Sequence, residues 1–191
     1  MHFSSYILGC GSYLPKKILT NNDLSKKLDT TDEWIKTRTG INQRYIADKK
    51  QLNSDLGFEA AKKTIKNSKI KTSDIDLIIV ATSTPDHTFP STATKIQGKL
   101  GITKGFAFDI QAACSGFIYA MSVADNFLLN NQASNALVIG SEIFSRILDW
   151  NDRSTCILFG DGAGAIVLSK NKKMNSGIIS TELYSDGRFY D

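Results

Sequence analysis

The sequence is poor in the residues that build covalent or metal scaffolds. Its 191 residues hold three cysteines, Cys10, Cys114 and Cys156, placed far apart. An odd, scattered set argues against a disulfide framework, and no CxxC pair or Cys/His cluster offers zinc spacing. A reducing, cytoplasmic setting suits such a chain. Histidine occurs twice, at His2 and His87, and proline three times. There is no run of 18 apolar residues, so no membrane-spanning helix is expected. The start, "MHFSSYILGC", lacks a positive n-region, and its apolar stretch is too short for a secretory signal. Neither sign of charge dominates, since 23 basic and 19 acidic residues leave +4. The lysines are scattered, and no basic stripe with interleaved aromatics points to nucleic acid. A mildly positive face still suits an acidic partner or a phosphorylated ligand. Two glycine-rich pieces fall short of nucleotide motifs. "GCG" (9–11) lacks the third glycine of a dinucleotide fingerprint, and "GDGAG" (160–164) has no Gly-Lys-Ser/Thr. The second reads as a turn feeding a strand, with Asp161 as a turn former.

What is present is the composition of an ordinary globular domain, 41% hydrophobic and 22% charged. Strand patterns at 5–15, 74–82, 105–110 and 135–144 alternate with helix patterns at 20–28, 29–41, 54–68, 91–101 and 114–131. Residues 5–15 read as a short strand broken by glycine and proline. The run "DIDLIIVAT" (74–82) is apolar throughout, as for a strand buried on both faces. Thr30 and Glu33 have capping-box spacing, and Gly40 is a plausible helix stop. Residues 153–170 read as apolar segments around a glycine-rich turn. Such alternation implies an α/β fold of βαβ units around a mostly parallel sheet. The helix after Cys114 is apolar almost all round, so it is expected to be buried centrally, with its N-terminus opening inside the protein.

Two constellations could carry chemistry. Cys114 follows a strand and small residues and opens a helix, where the helix dipole favours thiolate and backbone N–H groups can hold an oxyanion. A small buried filler between helix and sheet fits the same pattern. Trp34 and Arg38 are spaced i, i+4 on one helix face and could sandwich an aromatic ring and meet phosphate. A solvated cation–π pair fits that spacing equally. His87 lies in a Pro-bounded loop, where it is a loop residue or a distant candidate base for Cys114.

The segments "DTTDEWIKTRTGI", "FPSTATKIQGKLGI", "FDIQAACSGFIYAMSVAD", "DRSTCILFGDGAGAIVLS" and "GIISTELYSDG" together resemble the β-ketoacyl-acyl-carrier-protein synthase III family of the thiolase superfamily. The resemblance implies a thiolase-like layered α/β fold, with a mostly parallel mixed sheet and a buried central helix. Residues 1–191 would be the N-terminal, nucleophile-bearing half of a pseudo-duplicated αβαβα sandwich, with the second half outside this chain. It implies that Cys114 takes an acyl group from an acyl-coenzyme A primer for decarboxylative condensation with malonyl-acyl carrier protein. It matches Trp34, Arg38, Thr30 and Arg153 to the nucleotide end of coenzyme A. It matches Phe89 to a loop residue that lines the partner's acyl pocket in a homodimer. It implies neither metal nor redox cofactor, and it places the catalytic His and Asn in the second half.

Overall fold

Leu77–Ala81 is apolar at every position because a helical layer covers each of its faces. The computed structural model describes residues 4–171 and 177–189. In chain order the strands are β1 (Ser4–Tyr13), β2 (Lys17–Thr20), β3 (Gln43–Ile46), β4 (Leu77–Ala81), β5 (Phe106–Ile110), β6 (Asn135–Ile143) and β7 (Asp161–Asn171). The helices are α1 (Asn21–Ser25), α2 (Asp32–Thr39), α3 (Asn53–Ser68), α4 (Thr92–Leu100) and α5 (Gly116–Leu129). A five-stranded sheet runs β1-β7-β6-β4-β5, and β2-β3 form a separate ribbon. Side chains alternate along β4. Ile78 and Val80 pack with Leu56, Ala60 and Ile96 of α3 and α4, while Leu77, Ile79 and Ala81 pack with Ala120, Ala124 and Leu128 of α5. The result is a helix–sheet–helix sandwich.

Three expectations change. The sheet is mixed as expected, but only half of its pairings are parallel: β4 runs parallel to β5 and β6, and β7 is antiparallel to both β6 and β1. The reason lies in the connections. Helices α4 and α5 carry the chain back between parallel strands, whereas residues 144–160 hold no such crossover helix, so β7 returns in the opposite sense. Next, α5 is not buried all round. Its Ala120, Ala124 and Leu128 face is buried, but Phe117, Met121 and Phe127 are half-buried and Ile118 is 49% exposed. Small residues on one face let the helix lie close on the sheet, which then reaches only that face. Residues 177–189 run over part of the remainder, where Tyr119 donates to the Tyr184 carbonyl (3.1 Å) and Ser122 meets Thr181 (2.9 Å).

Finally, β1 is not ended by its glycines but runs through them, with one shift of register between Ile7 and Gly9. A Cβ on Gly11 would sit 2.6 Å from the Thr64 amide nitrogen, and one on Gly9 would sit 2.7 Å from that of Ser68. The missing side chains let α3 lie directly on β1. Gly11→Ala is therefore expected to lower stability by about 1–3 kcal/mol, because backbone cannot yield as a side chain does. Chemical denaturation checks this; an unchanged midpoint would contradict the close approach.

Candidate active site

Cys114 stands where β5 gives way to α5. Ala113–Ser115 form a single 3₁₀ turn in which the Ser115 amide donates to the Ala112 carbonyl (3.1 Å), and α5 begins at Gly116. Ala113 has φ 45°, in the left-handed region that L-residues avoid, at a cost of order 1 kcal/mol. That turn takes Cys114 off the strand line and leaves it exposed. Ser115 makes no side-chain cap hydrogen bond and the Gly116 amide donates to the Ala113 carbonyl, which leaves the positive end of α5 beside Cys114. The helix start thus opens into a surface cavity, where the sequence pattern had suggested the interior.

That cavity is about 460 Å³ in volume, and Cys114 lines it together with Leu14, Phe117, Glu142, Phe144 and Phe159. Phe144 and Phe159 stack with ring centres 4.8 Å apart and planes at 19°. Gly140, Gly160, Gly162 and Gly164 contribute only backbone to its walls. A groove of about 500 Å³ between Lys17, Lys26, Leu28 and Trp150 has comparable size but no nucleophile.

A second constellation forms at α2. The helix is capped by Thr31, whose hydroxyl accepts from the Trp34 amide (3.0 Å), and it ends at left-handed Gly40 as expected. The cap is one residue later than the Thr30/Glu33 spacing suggested, because Thr31 is the residue in the extended conformation that precedes the first turn. Thr30 instead has a buried hydroxyl with no partner. The Arg38 guanidinium carbon lies 4.2 Å from the Trp34 ring centre, and that of Arg153 lies 5.0 Å from it. Arg153 also bonds the Asp29 carbonyl and pairs with its carboxylate at 3.7 Å. Two segments about 115 residues apart therefore build one aromatic platform flanked by two cations.

The chain itself links the two constellations. From Arg153, at the platform, it passes through buried Cys156 and Ile157, which share a cluster with Trp34, and reaches Phe159 and Gly160 in the cavity wall. Arg44, nearly fully buried, donates to the Ile157 carbonyl (2.6 Å) and to Asn21 (2.8 Å), fixing this path. Burial pushes the Arg44 guanidinium down from its ordinary value, and burial with Asp152 pushes the Cys156 thiol up. Cys156 is thus a filler, unlike exposed Cys114.

Asp161 is a clamp rather than a turn former. Its carboxylate is 4% exposed and accepts from the amides of Ala47 (2.7 Å) and Ser145 (2.8 Å) and the Ser145 hydroxyl (2.6 Å). The "GDGAG" run is the start of β7, not a turn before it. Phe89 is 83% exposed on loop 82–90 and lies away from this cavity's lining, as does exposed His87. His2 lies outside the described residues. Among the described residues no cluster of three His, Cys, Asp or Glu could hold a metal, and no helix is long and apolar enough to cross a membrane. Arg44, Glu142 and Asn53 were missed by sequence reasoning. Their only signal is a polar residue inside an apolar segment, which also describes many surface positions.

Residues 108–187 match the model of the family described as 3-oxoacyl-[acyl-carrier-protein (ACP)] synthase III. A protein of Ehrlichia canis named beta-ketoacyl-[acyl-carrier-protein] synthase III is 62% identical over 187 residues, which are 98% of this chain and 59% of that protein. A namesake from Wolbachia pipientis wMel is 61% identical over 184 residues, 96% and 58%. The crystal structure of 3-oxoacyl-(acyl carrier protein) synthase III from Pseudomonas aeruginosa PAO1 superposes with a TM-score of 0.93 at 39% identity, covering 98% of this chain and 59% of that one. The priming β-ketosynthase of the R1128 polyketide pathway superposes at 0.85 with 35% identity, covering 88% and 50%. The chain thus spans about three fifths of the curated relatives it matches.

Proposed function

This chain belongs to the 3-oxoacyl-[acyl-carrier-protein] synthase III family with its thiolase-like fold, and on that premise we propose that it carries the acyl-accepting centre of a fatty-acid-initiating condensing enzyme. The observation that carries the reading is an exposed cysteine on a left-handed elbow, in a cavity whose wall leads to a cationic aromatic platform.

In the proposed reaction the Trp34, Arg38 and Arg153 platform holds the adenine and phosphate end of an acyl-coenzyme A primer, acetyl in the simplest case, with Thr30 beside it. The Cys114 thiolate attacks the thioester carbonyl. Backbone N–H groups, that of Cys114 among them, hold the tetrahedral oxyanion, the C–S bond to coenzyme A breaks, and coenzyme A leaves as the thiol. The acyl-cysteine then meets malonyl-acyl carrier protein. Loss of carbon dioxide leaves an enolate that attacks the acyl carbon, releasing Cys114 and a 3-oxoacyl-carrier protein. We assign residues 1–191 to the nucleophile-bearing half, and the His and Asn that drive decarboxylation to residues outside them. Thioester exchange and decarboxylation by these groups need no metal or redox cofactor. The same reading takes the acidic carrier protein as partner, a homodimer whose Phe89 reaches the partner's acyl pocket, and the cytoplasm as location.

The test is kinetic. Acetyl-coenzyme A acylates Cys114 in residues 1–191, which without the His and Asn form no 3-oxoacyl-carrier protein from malonyl-carrier protein, and Trp34→Ala raises the primer concentration for half-maximal acylation about tenfold while iodoacetamide alkylates Cys114 at the wild-type rate. Absence of the acyl adduct would overturn the proposed function, product formed by residues 1–191 alone would overturn the assignment of the His and Asn outside them, and an unchanged half-maximal concentration would remove Trp34 from the nucleotide site. The 35% identity to a polyketide priming synthase favours a second reading, with the same chemistry on another primer. Mass spectrometry of the Cys114 peptide after a mixed acyl-coenzyme A incubation separates the two.

A further inference from the structure

We propose that Glu142 is a positioning residue that sets which acyl groups Cys114 accepts. The inference rests on the thioester reading above. Glu142 stands in the cavity wall with Cys114, yet its carboxylate is spent on the neighbouring loop. It accepts from the Ser83 amide (2.7 Å) and from the hydroxyls of Thr84 and, at 3.4 Å, Thr82. Thr84 in turn accepts from the Ile143 amide (2.9 Å), so the two segments grip each other from both sides. Asn53, 2% exposed, completes the knot by donating to Thr82 (2.7 Å), the Thr84 carbonyl (2.7 Å) and the Ser141 carbonyl (3.0 Å).

The location of this knot gives it a consequence. It joins the end of β4 to the end of β6. Ala81 from one end and Gly140, Ser141, Glu142 and Phe144 from the other all line the cavity. The β4–β6 pairing stops at Ala81 and Gly140, and beyond that point β6 stays paired only on its other side, with β7 through Ile143. Across the β4 side the wall is joined by side-chain hydrogen bonds, with Glu142 as the carboxylate that ties residues 82–84 to β6. With the carboxylate gone, the Ser83 amide and Thr84 hydroxyl lose their acceptor, residues 82–84 part from β6, and the wall beside the sulfur loosens on its β4 side, while Phe144 stays held between Ile143 and the Asp161-clamped Ser145. The space beside the sulfur then admits longer acyl chains.

The experiment compares wild type, Glu142→Ala, Glu142→Gln and Thr84→Val. Two ratios are read at Cys114 by mass spectrometry: acylation by hexanoyl- against acetyl-coenzyme A, and alkylation by N-benzyl-iodoacetamide against iodoacetamide. Glu142→Ala is expected to raise both ratios about tenfold. Glu142→Gln, which keeps an acceptor for Ser83, stays within about twofold of wild type, and Thr84→Val shifts both ratios the same way by a smaller factor. Unchanged ratios in Glu142→Ala and Thr84→Val would overturn the proposal, as would a Gln variant indistinguishable from the Ala variant. Equal loss of both acylations with unchanged ratios would make the residue merely structural. A wild type that takes no acyl group sinks the thioester reading and the acyl selectivity with it. A wild type that is acylated, with flat ratios in the variants, sinks the role of Glu142 alone.

Discussion

Cys114→Ala takes up no acetyl group from acetyl-coenzyme A, whereas wild type gains one per chain by intact mass. The expected loss in acylation rate is on the order of 10³-fold or more, as for removal of a catalytic nucleophile. No other thiol can take over. Cys156 is fully buried, with its thiol pushed up by that burial. Cys10 is exposed on β1 beside Lys63 and Lys66, without the positive helix end that stands beside Cys114. Cys114→Ser keeps a hydroxyl in the same place but is a far weaker nucleophile at neutral pH, so it too should accumulate little adduct. An acetyl group on the Ala variant at the wild-type rate would mean that another residue is the acceptor, and the proposed function would have to be rebuilt around it.

Asp161→Ala is expected to cost on the order of 4 kcal/mol in unfolding free energy. The carboxylate satisfies two backbone amides and one hydroxyl in a place where it is 4% exposed. Leaving buried donors unpaired costs about 1–3 kcal/mol each. For a domain of this length that corresponds to a fall in Tm of about 10 °C. Asp161→Asn retains one acceptor oxygen and should lose roughly half as much. Because Ala47 follows β3 and Ser145 follows β6, the clamp ties the ribbon to the sheet, and its loss should also slow acylation of Cys114. A loss below about 1 kcal/mol by chemical denaturation would show that water takes over the acceptor's role.

Much of the fold was legible in local sequence. Leu77–Ala81, apolar throughout, is the doubly covered strand. Leu56, Ala60, Ala61 and Ile65 are the buried stripe of α3, and Ser91 and Gly101 bound α4. These features depend on periodicity and capping, which act within a few residues. The strand directions, the continuity of β1 through Gly9 and Gly11, and the half-open α5 were not legible, because each depends on what packs opposite. A glycine that breaks a strand and one that admits a helix look the same in a sequence.

The site divides along the same line. From the sequence came a cysteine at a strand-to-helix turn, and Trp34 with Arg38 on one helix face. The tertiary structure brought Arg153 to the same indole, put Phe144 against Phe159 beside Cys114, and made Asp161 a clamp and Glu142 a tie between two strand ends. Local pattern determines which residues share a face, since backbone geometry repeats every two or 3.6 residues. Which face meets which is decided by long-range packing and by buried polar groups finding their partners, and those partners lie as far as 120 residues away along the chain.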